Sequence, residues 1–179
     1  MEKSLYFIII RGYERFTDMM ERGNIKIDVT KEELDLLYFP EEVICYKQIP
    51  ILEKYYHDSN SRIYEIFHED VPSWMYDILK QLPIDYTHSY FSILKVPPGQ
   101  TIPYHIDKHY KIQEKYGKGE TFRYWIALEE WKHGHYFEVG NVPIVNWKRG
   151  DWVRFEKEWH LGGNMGIDVK YIAQVTCIK

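Results

Sequence analysis

Alanine, cysteine and long apolar runs are all scarce in this chain of 179 residues. Its two alanines, Ala127 and Ala173, are too few for a bundle of alanine-rich helices. Its two cysteines, Cys45 and Cys177, lie far apart, which excludes a CxxC zinc ribbon and argues against a disulfide framework. A reduced, cytoplasmic setting is therefore the expected one.

Clusters of basic residues and segments long enough to cross a membrane are also missing. The formal net charge is −4 and no block of lysine and arginine interrupts the chain, so nucleic acid is not an expected partner. The longest apolar run, residues 5–10, is too short to span a bilayer and lacks the small-residue cleavage site of a signal peptide. We therefore expect no membrane partner and interpret this run as a buried strand. Nothing in the sequence points to a particular oligomeric state.

Aromatic residues are abundant instead, at 17% of the chain, beside 45% hydrophobic and 28% charged residues. This balance is that of a globular protein rather than a disordered one. Bulky aromatic and β-branched side chains pack well on a pleated surface, so their excess favours a core built on sheets. The length is typical of one domain and no linker is evident, so residues 1–179 are predicted to form a single domain.

The two halves of the chain differ in pattern. Residues 1–84 alternate helical segments with short strands, whereas residues 85–179 show strand after strand separated by glycine- and proline-rich turns. The second helical segment opens with Thr30 and Glu33 in capping-box spacing, and Ser73 lies near the start of the third as a possible cap. These elements predict a mainly β fold in which N-terminal helices support a C-terminal double-stranded, jelly-roll-like barrel. The predicted helices cover residues 12–22, 30–39 and 71–82, and the predicted strands cover residues 90–96, 102–106, 121–129, 135–138, 152–155 and 170–178.

Five of the eight histidines lie between residues 105 and 160, and the pattern around the first of them is informative. His105 and Asp107 are two residues apart in an extended segment, so both side chains point to the same side and can bind one metal ion. His160 is the best third ligand, because it follows a glycine turn and a strand that could end beside the His105 segment. Two histidines and one carboxylate are the ligand set of non-haem Fe(II) oxygenases, in which coordination positions stay open. A zinc hydrolase also uses three protein ligands, so the triad alone leaves both metals open.

The other histidines of this half show no ligand spacing. His133 and His135 belong to a KHGH turn and His109 to a charged segment, and all three are expected to be exposed or to face a substrate. Residues 108–120, directly after the HxD motif, are polar and end with two glycines. Such a segment is typical of a lid over an active site or of an ordinary exposed loop.

Two cations are placed to hold the far carboxylate of a cosubstrate such as 2-oxoglutarate, whose 2-oxo acid end would chelate the iron. Lys170 opens the last predicted strand, ten residues after His160, and Arg123 opens the strand FRYWIALEE. If Lys170 faces the barrel interior, Ile172 and Gln174 share its face. The alternative is a lysine exposed at the start of a strand.

Residues 92–175 resemble the Fe(II)/2-oxoglutarate-dependent oxygenases, in particular the aspartyl/asparaginyl β-hydroxylase-like group. The motifs SILKVPPGQTIPYHID, FRYWIALEEW and KRGDWVRF follow in that family's order, and the distal histidine and a cation ten residues later complete them. The resemblance implies a double-stranded β-helix fold and a site that uses Fe(II), 2-oxoglutarate and O₂. It makes His105, Asp107 and His160 the iron ligands, Arg123 a contact of the cosubstrate carboxylate, and Lys170 and Ser92 the partners of the remote carboxylate.

Two residues depart from the pattern of that family. Lys170 stands where the family usually has arginine, which holds a carboxylate by two parallel hydrogen bonds rather than as a point charge. Trp125 stands where members with an RxH strand motif have histidine. Asp107, by contrast, supplies the carboxylate that the animal β-hydroxylases and the halogenases lack, which favours hydroxylation.

The sequence therefore predicts an Fe(II)- and 2-oxoglutarate-dependent dioxygenase with succinate and CO₂ as coproducts. Its substrate would be a protein or peptide side chain or an amino-acid-like small molecule. Two other functions remain open: a non-catalytic, cupin-like barrel that binds a metal or a small ligand, and a zinc hydrolase on the same ligands. No general base is fixed near the triad by spacing, which makes the hydrolase the weaker of the two.

Overall fold

The computed structural model describes residues 20–39, 41–42 and 61–179, and of residues 41 and 42 the backbone alone. The strand expected at residues 5–10 and most of the helix expected at 12–22 lie outside these ranges. The helices are α1 Lys31–Leu36, α2 Ser73–Gln81 and α3 Tyr110–Tyr116. The strands are β1 Arg22–Asn24, β2 Glu41–Glu42, β3 Arg62–Phe67, β4 Ser89–Val96, β5 Gln100–His105, β6 Thr121–Ala127, β7 His135–Val139, β8 Val142–Ile144, β9 Asp151–Phe155, β10 His160–Asn164 and β11 Lys170–Ile178.

Two antiparallel sheets face each other across an aromatic core. The larger has the strand order β1-β9-β6-β11-β4-β3-β2 and the smaller the order β5-β10-β7-β8. Between them, the rings of Trp125 on β6 and Phe137 on β7 stack with centroids 4.8 Å apart. Helix α2 and residues 25–39 cover the outer face of the larger sheet, where Phe91 and Val175 belong to a second apolar cluster. The predicted mainly β fold with supporting helices is confirmed.

The capping box predicted for α1 is confirmed, whereas the cap predicted for α2 is wrong. The Thr30 hydroxyl accepts from the backbone N–H of Glu33 at 3.2 Å, and the Glu33 carboxylate accepts from the backbone N–H of Thr30 at 2.7 Å. Ser73 is instead the first helical residue of α2, because Pro72, with its extended backbone, takes the N-cap position. Helix α2 packs on the core through Ile78, which is buried.

All six predicted strands are present, each within about two residues of its predicted bounds. The structure adds β3, β8, β10 and the short strands β1 and β2. Strand β10, with the sequence HLGGN, was not predicted, because glycines such as Gly162 and Gly163 are typical of turns. Helix α1 ends at Leu36 rather than at residue 39, and Arg22 begins β1 instead of ending a helix.

Two expectations concern the chain as a whole. None of the helices in the described ranges is long and apolar enough to cross a membrane. The assignment of residues 1–179 to a single domain stays a prediction.

Asn164, the last residue of β10, ties that strand to its neighbours. The buried side-chain amide donates to the carbonyls of Val96 at 2.8 Å and Asp168 at 2.6 Å, and its oxygen accepts from the N–H of Gly166 at 3.0 Å. We predict that Asn164→Ala lowers the free energy of unfolding by about 2–4 kcal/mol, because three backbone groups lose a partner, in one fully buried and two partly buried hydrogen bonds. Denaturant unfolding measures the loss, with the exposed Glu114→Ala as control. A change no larger than that of the control would contradict this role.

Candidate metal centre

The ends of two neighbouring strands bring His105, Asp107 and His160 together. His105 is the last residue of β5 and His160 the first of β10, and the two pair directly across the antiparallel ladder. Their ring centroids are 4.2 Å apart. The ligand atoms of the two histidines and of Asp107 all lie within 4.8 Å of one another. Within the described ranges, these three residues form the one cluster suited to hold a metal ion.

A β-bulge in β5 turns His105 into the space between the sheets. The pairing with β10 runs from His105 opposite His160 to Ile102 opposite Gly162, so β5 has one extra residue in this interval. The interval contains Pro103, which has no N–H to contribute to a ladder and is tolerated at bulges. Strict alternation would place Ile102 and His105 on opposite faces. Because of the bulge, Ile102 packs in the inner core while His105 is buried beside His160.

The protein fixes the proton positions of both imidazoles. His105 donates from Nδ1 to the carbonyl of Pro103 at 2.6 Å, and His160 donates from Nδ1 to the carbonyl of Glu158 at 3.0 Å. Since a carbonyl only accepts, the lone pair of each ring lies on Nε2. The two Nε2 atoms approach the Asp107 carboxylate to 3.7 Å and 3.1 Å. Such backbone contacts are how proteins orient metal-binding histidines.

Charge in the cluster favours a neutral His105 and an ionised Asp107. Burial lowers the pKa of His105 to about 4, and His160 acts in the same direction. Burial alone would raise the pKa of Asp107, but the adjacent Arg123 guanidinium holds it well below its ordinary value. Although 3.1 Å from Asp107, the buried Nε2 of His160 makes no hydrogen bond within the described residues. Imidazole lone pairs beside an ionised carboxylate are a donor set that fits a divalent cation.

Arg123, on β6, holds the Asp107 carboxylate. Its Nη1 donates to Asp107, its Nε donates to the Thr176 hydroxyl at 3.0 Å, and its Nη2 lies 3.3 Å from Nδ1 of His109. The resemblance made Arg123 a contact of the cosubstrate, whereas the contacts described here are with three side chains of the protein. Arg123 thus positions one candidate metal ligand and keeps it ionised.

Lys170, at the start of β11, faces the interior and shares the inner face with Ile172. Its buried Nζ donates to the carbonyl of Tyr136 at 2.5 Å and to that of Gly163 at 3.3 Å, both on the smaller sheet. Burial lowers the pKa of Lys170 to about 7, and Glu129 opposes the shift. No carboxylate of the described residues forms an ion pair with this ammonium. A buried cation held by carbonyls alone would be stabilised by an anion.

Ser92 and Gly162 add two features to the inner faces. Ser92, on β4, is buried, and its hydroxyl has no hydrogen-bond partner within the described ranges. Gly162 lies two residues after His160, and a Cβ built on it would lie 3.9 Å from Nζ of Lys170 and 4.0 Å from the Phe137 ring. The missing side chain leaves space between His160 and Lys170. Glycine inside a strand often marks the close approach of a ligand.

His109, which the sequence predicted to be exposed or to face a substrate, lies beside Arg123. It is half-buried, and burial together with the adjacent Arg123 lowers its pKa to about 4. Its contact with Arg123 depends on a left-handed backbone, with φ 52° and ψ 37°. The spacing of the sequence does not predict the contact with Arg123, because positive φ is uncommon for residues other than glycine, although histidine is among those that adopt it more often.

Of the two histidines in the KHGH segment, one is placed as expected and one is not. His133 is exposed. His135 is buried, since it begins β7 and the alternation of that strand turns it inward beside the ring of Trp147. It is therefore neither exposed nor part of the metal centre.

The segment after the HxD motif, residues 108–120, contains helix α3. Ile112 anchors the helix in the protein, where it is buried. Lys115 pairs with Glu69 at 2.8 Å, and the hydroxyl of Tyr116 donates to the same carboxylate at 2.9 Å. The segment is thus held against the end of β3, and its opening as a lid stays a prediction.

Comparisons with known proteins bear on the fold. No protein-family model matches the chain, and no curated protein matches it. A prolyl-4-hydroxylase from Pseudomonas putida is similar in structure, with a TM-score of 0.50 and 12% identity over 68% of this chain and 70% of that one. The cupin domain of Schizosaccharomyces pombe Cnp3 gives a TM-score of 0.43 and 12% identity over 68% and 67%. A predicted oxalate decarboxylase from Thermotoga maritima gives 0.39 and 18% over 66% and 81%.

These likenesses concern the fold. The two facing antiparallel sheets, together with the likeness in fold to the prolyl-4-hydroxylase, confirm the predicted double-stranded β-helix. The His-Asp-His cluster between the sheets is a possible metal-binding site of that fold.

We predict that Zn(II) or Mn(II) raises the melting temperature of the protein and that His160→Gln abolishes most of this rise. A ligand that binds only the folded state stabilises it by about 2.7 kcal/mol at a hundredfold excess over its Kd, and the variant lacks one donor nitrogen. Scanning calorimetry with and without metal measures the shift. The exposed His133→Gln is the matched control and should behave as wild type. An equal shift in wild type and His160→Gln would exclude this cluster as the metal site.

Proposed function

We propose that this protein is an Fe(II)- and 2-oxoglutarate-dependent dioxygenase. It would hydroxylate an unactivated C–H bond of a protein or peptide side chain or of an amino-acid-like molecule. The observation that carries the proposal is the cluster of His105, Asp107 and His160, in which two Nε2 lone pairs and a carboxylate lie within 4.8 Å. His105, Asp107 and His160 would hold Fe(II), and this is the ligand set with which non-haem Fe(II) oxygenases keep coordination positions open.

The residues around the cluster would prepare it for this chemistry. When bound, Fe(II) would couple the oxidative decarboxylation of 2-oxoglutarate to succinate and CO₂ with the insertion of one oxygen atom of O₂ into the substrate C–H bond. Arg123 holds Asp107 in its ionised form. The rings of Phe155 and Phe137 pack against His160, with centroids 4.9 Å and 6.3 Å away, and exclude water from that side.

Lys170, rather than Arg123, is the residue that we assign to the far carboxylate of 2-oxoglutarate. Arg123 already contacts Asp107, whereas Lys170 lacks a carboxylate partner within the described residues and is held by two carbonyls. Gly162 leaves space between His160 and Lys170. A dicarboxylate whose 2-oxo acid end chelates the metal would extend its other carboxylate through this space.

The other functions on the same ligands predict different behaviour. A cupin-like barrel without turnover would bind the metal and form no succinate. A zinc hydrolase would be active without O₂. Assays in air and under nitrogen therefore separate the three.

We predict that the Fe(II)-loaded protein forms succinate from 2-oxoglutarate in air, and that His160→Ala reduces the rate to the background of free Fe(II). The variant loses a nitrogen ligand, so Fe(II) is no longer held in the protein. Succinate is measured by mass spectrometry, with nitrogen-purged samples and His133→Ala as controls. Equal rates in wild type and His160→Ala would overturn the proposed function.

We predict that Lys170→Met weakens the binding of 2-oxoglutarate to the Mn(II)-loaded protein by at least about tenfold. A hydrogen bond to a charged group contributes about 1.5–3 kcal/mol, and methionine keeps the length of the side chain without the charge. Titration calorimetry measures the affinities for Mn(II) and for 2-oxoglutarate separately. The affinity for Mn(II) should be unchanged, and the exposed Lys118→Met should match wild type in both. Unchanged 2-oxoglutarate affinity in Lys170→Met would return the role to Arg123.

A further inference from the structure

His109 has a buried N–H group with no hydrogen-bond acceptor within the described residues. Its Nδ1 lies 3.3 Å from Nη2 of Arg123. Because a guanidinium only donates, Nδ1 must accept, and the ring proton therefore lies on Nε2. This Nε2 is buried and has no hydrogen-bond partner within the described parts of the chain. Buried donors in native proteins are nearly always paired, so this N–H calls for an acceptor that a ligand would bring.

The backbone of His109 has a conformation that is uncommon for residues with a side chain. His109 has φ 52° and ψ 37°, in the left-handed region that residues with a side chain rarely adopt. It also occupies the N-cap position of α3, yet its ring makes no capping hydrogen bond. Strained backbone of this kind persists where the surrounding structure enforces it, often at binding and catalytic sites.

Through Arg123, His109 is linked to the end of β11 that lies away from Lys170. Arg123, the contact of His109, pairs with Thr176 on β11, and Lys170 precedes Thr176 by six residues. At roughly 3.3 Å per residue, this separation is about 20 Å along the strand. The next residue along the chain from His109, Tyr110, is 69% exposed. A ligand bound at His109 is therefore distinct from a cosubstrate that extends to Lys170.

The charges around His109 favour an anion. Arg123 and Lys157 both act on the ring as positive charges. Asp107, the nearby acid, is already bound by Arg123. A carboxylate is the acceptor that suits both the free N–H and these cations, since hydrogen bonds to ionised acceptors are the strong ones.

We propose that His109 binds a carboxylate of the primary substrate through its Nε2–H and so orients that substrate over the metal centre. The identification of this ligand as the substrate rests on the proposed function. The substrate class is then an amino acid or a peptide that presents a free carboxylate near the carbon to be hydroxylated.

The test uses the Zn(II)-loaded protein and two small probes that differ only in charge. N-acetylglycine presents a carboxylate, and N-acetylglycinamide replaces it by a neutral amide. In protein labelled with ¹⁵N-histidine, the His109 ring should show the Nε2–H tautomer, and its signals should shift when N-acetylglycine is added. N-acetylglycinamide should cause no such shift.

Two variants of His109 distinguish the role of its Nε2–H donor from the role of its contact with Arg123. Asparagine tolerates left-handed backbone, and its oxygen can accept from Arg123, but it places no donor at the Nε2 position. His109→Asn should weaken N-acetylglycine binding in ligand-observed NMR by about tenfold and leave Zn(II) affinity as in wild type. His109→Gln places an amide N–H near the Nε2 position and should recover part of the loss. His133→Asn, at an exposed histidine, is the control.

Each opposite result overturns the proposal. Equal binding of N-acetylglycine to wild type and His109→Asn would mean that the probe binds the metal alone, and no binding to wild type would remove the site. Equal binding of the two probes would exclude carboxylate recognition. Loss of Zn(II) affinity in His109→Asn would show that His109 acts only through Arg123 on Asp107. Failure of the proposed function is seen separately, as a lack of 2-oxoglutarate-dependent succinate formation while the probe results stand.

Discussion

The pairing of β5 with β10 is the constraint on which the rest of the centre depends. It sets His105 opposite His160, and the extra residue in β5 lets Ile102 keep its place in the core at the same time. A slip of one residue would turn His160 outward and move Gly162 away from Lys170, since neighbouring residues of a strand face opposite ways. Strand β10 lies between β5 and β7, so hydrogen bonds on both edges fix its register.

Charge is distributed unevenly around this pair of strands. Arg123 and Asp107 offset each other within one ion pair. Among the described residues, Glu129 is the charge that opposes Lys170, and that carboxylate already binds Lys132 at 2.9 Å. A divalent cation at the cluster would add further positive charge to a buried region. In the proposed function, a dicarboxylate such as 2-oxoglutarate that spans from the metal to Lys170 would offset this excess, and a neutral ligand would not.

The sequence predicted the strands that are rich in bulky residues and missed strands, such as β10, that contain residues typical of turns. Strand β11 has its predicted bounds, because apolar residues occupy both of its faces. Strand β10 was missed, since the glycines that leave space at Gly162 are the residues that end strands elsewhere. The HxD spacing selected His105 and Asp107 as if β5 were regular, but the strand ends at His105 and its orientation comes from a bulge. The alternation of side chains along β11 predicted which residues share a face with Lys170, but it could not predict whether that face points inward.

A wall of aromatic rings stands between the two sides of the centre. The ring of Trp125 stacks on that of Phe137 and meets that of Trp147 edge-on, with the latter two centroids 5.0 Å apart. On β6, Trp125 lies two residues beyond Arg123, so these rings stand between the Arg123 side and the Lys170 side. Aromatic packing here lowers the local dielectric and strengthens each charge interaction beside it. In the proposed reaction, the cosubstrate and the substrate would then approach from separate sides and meet at the metal cluster.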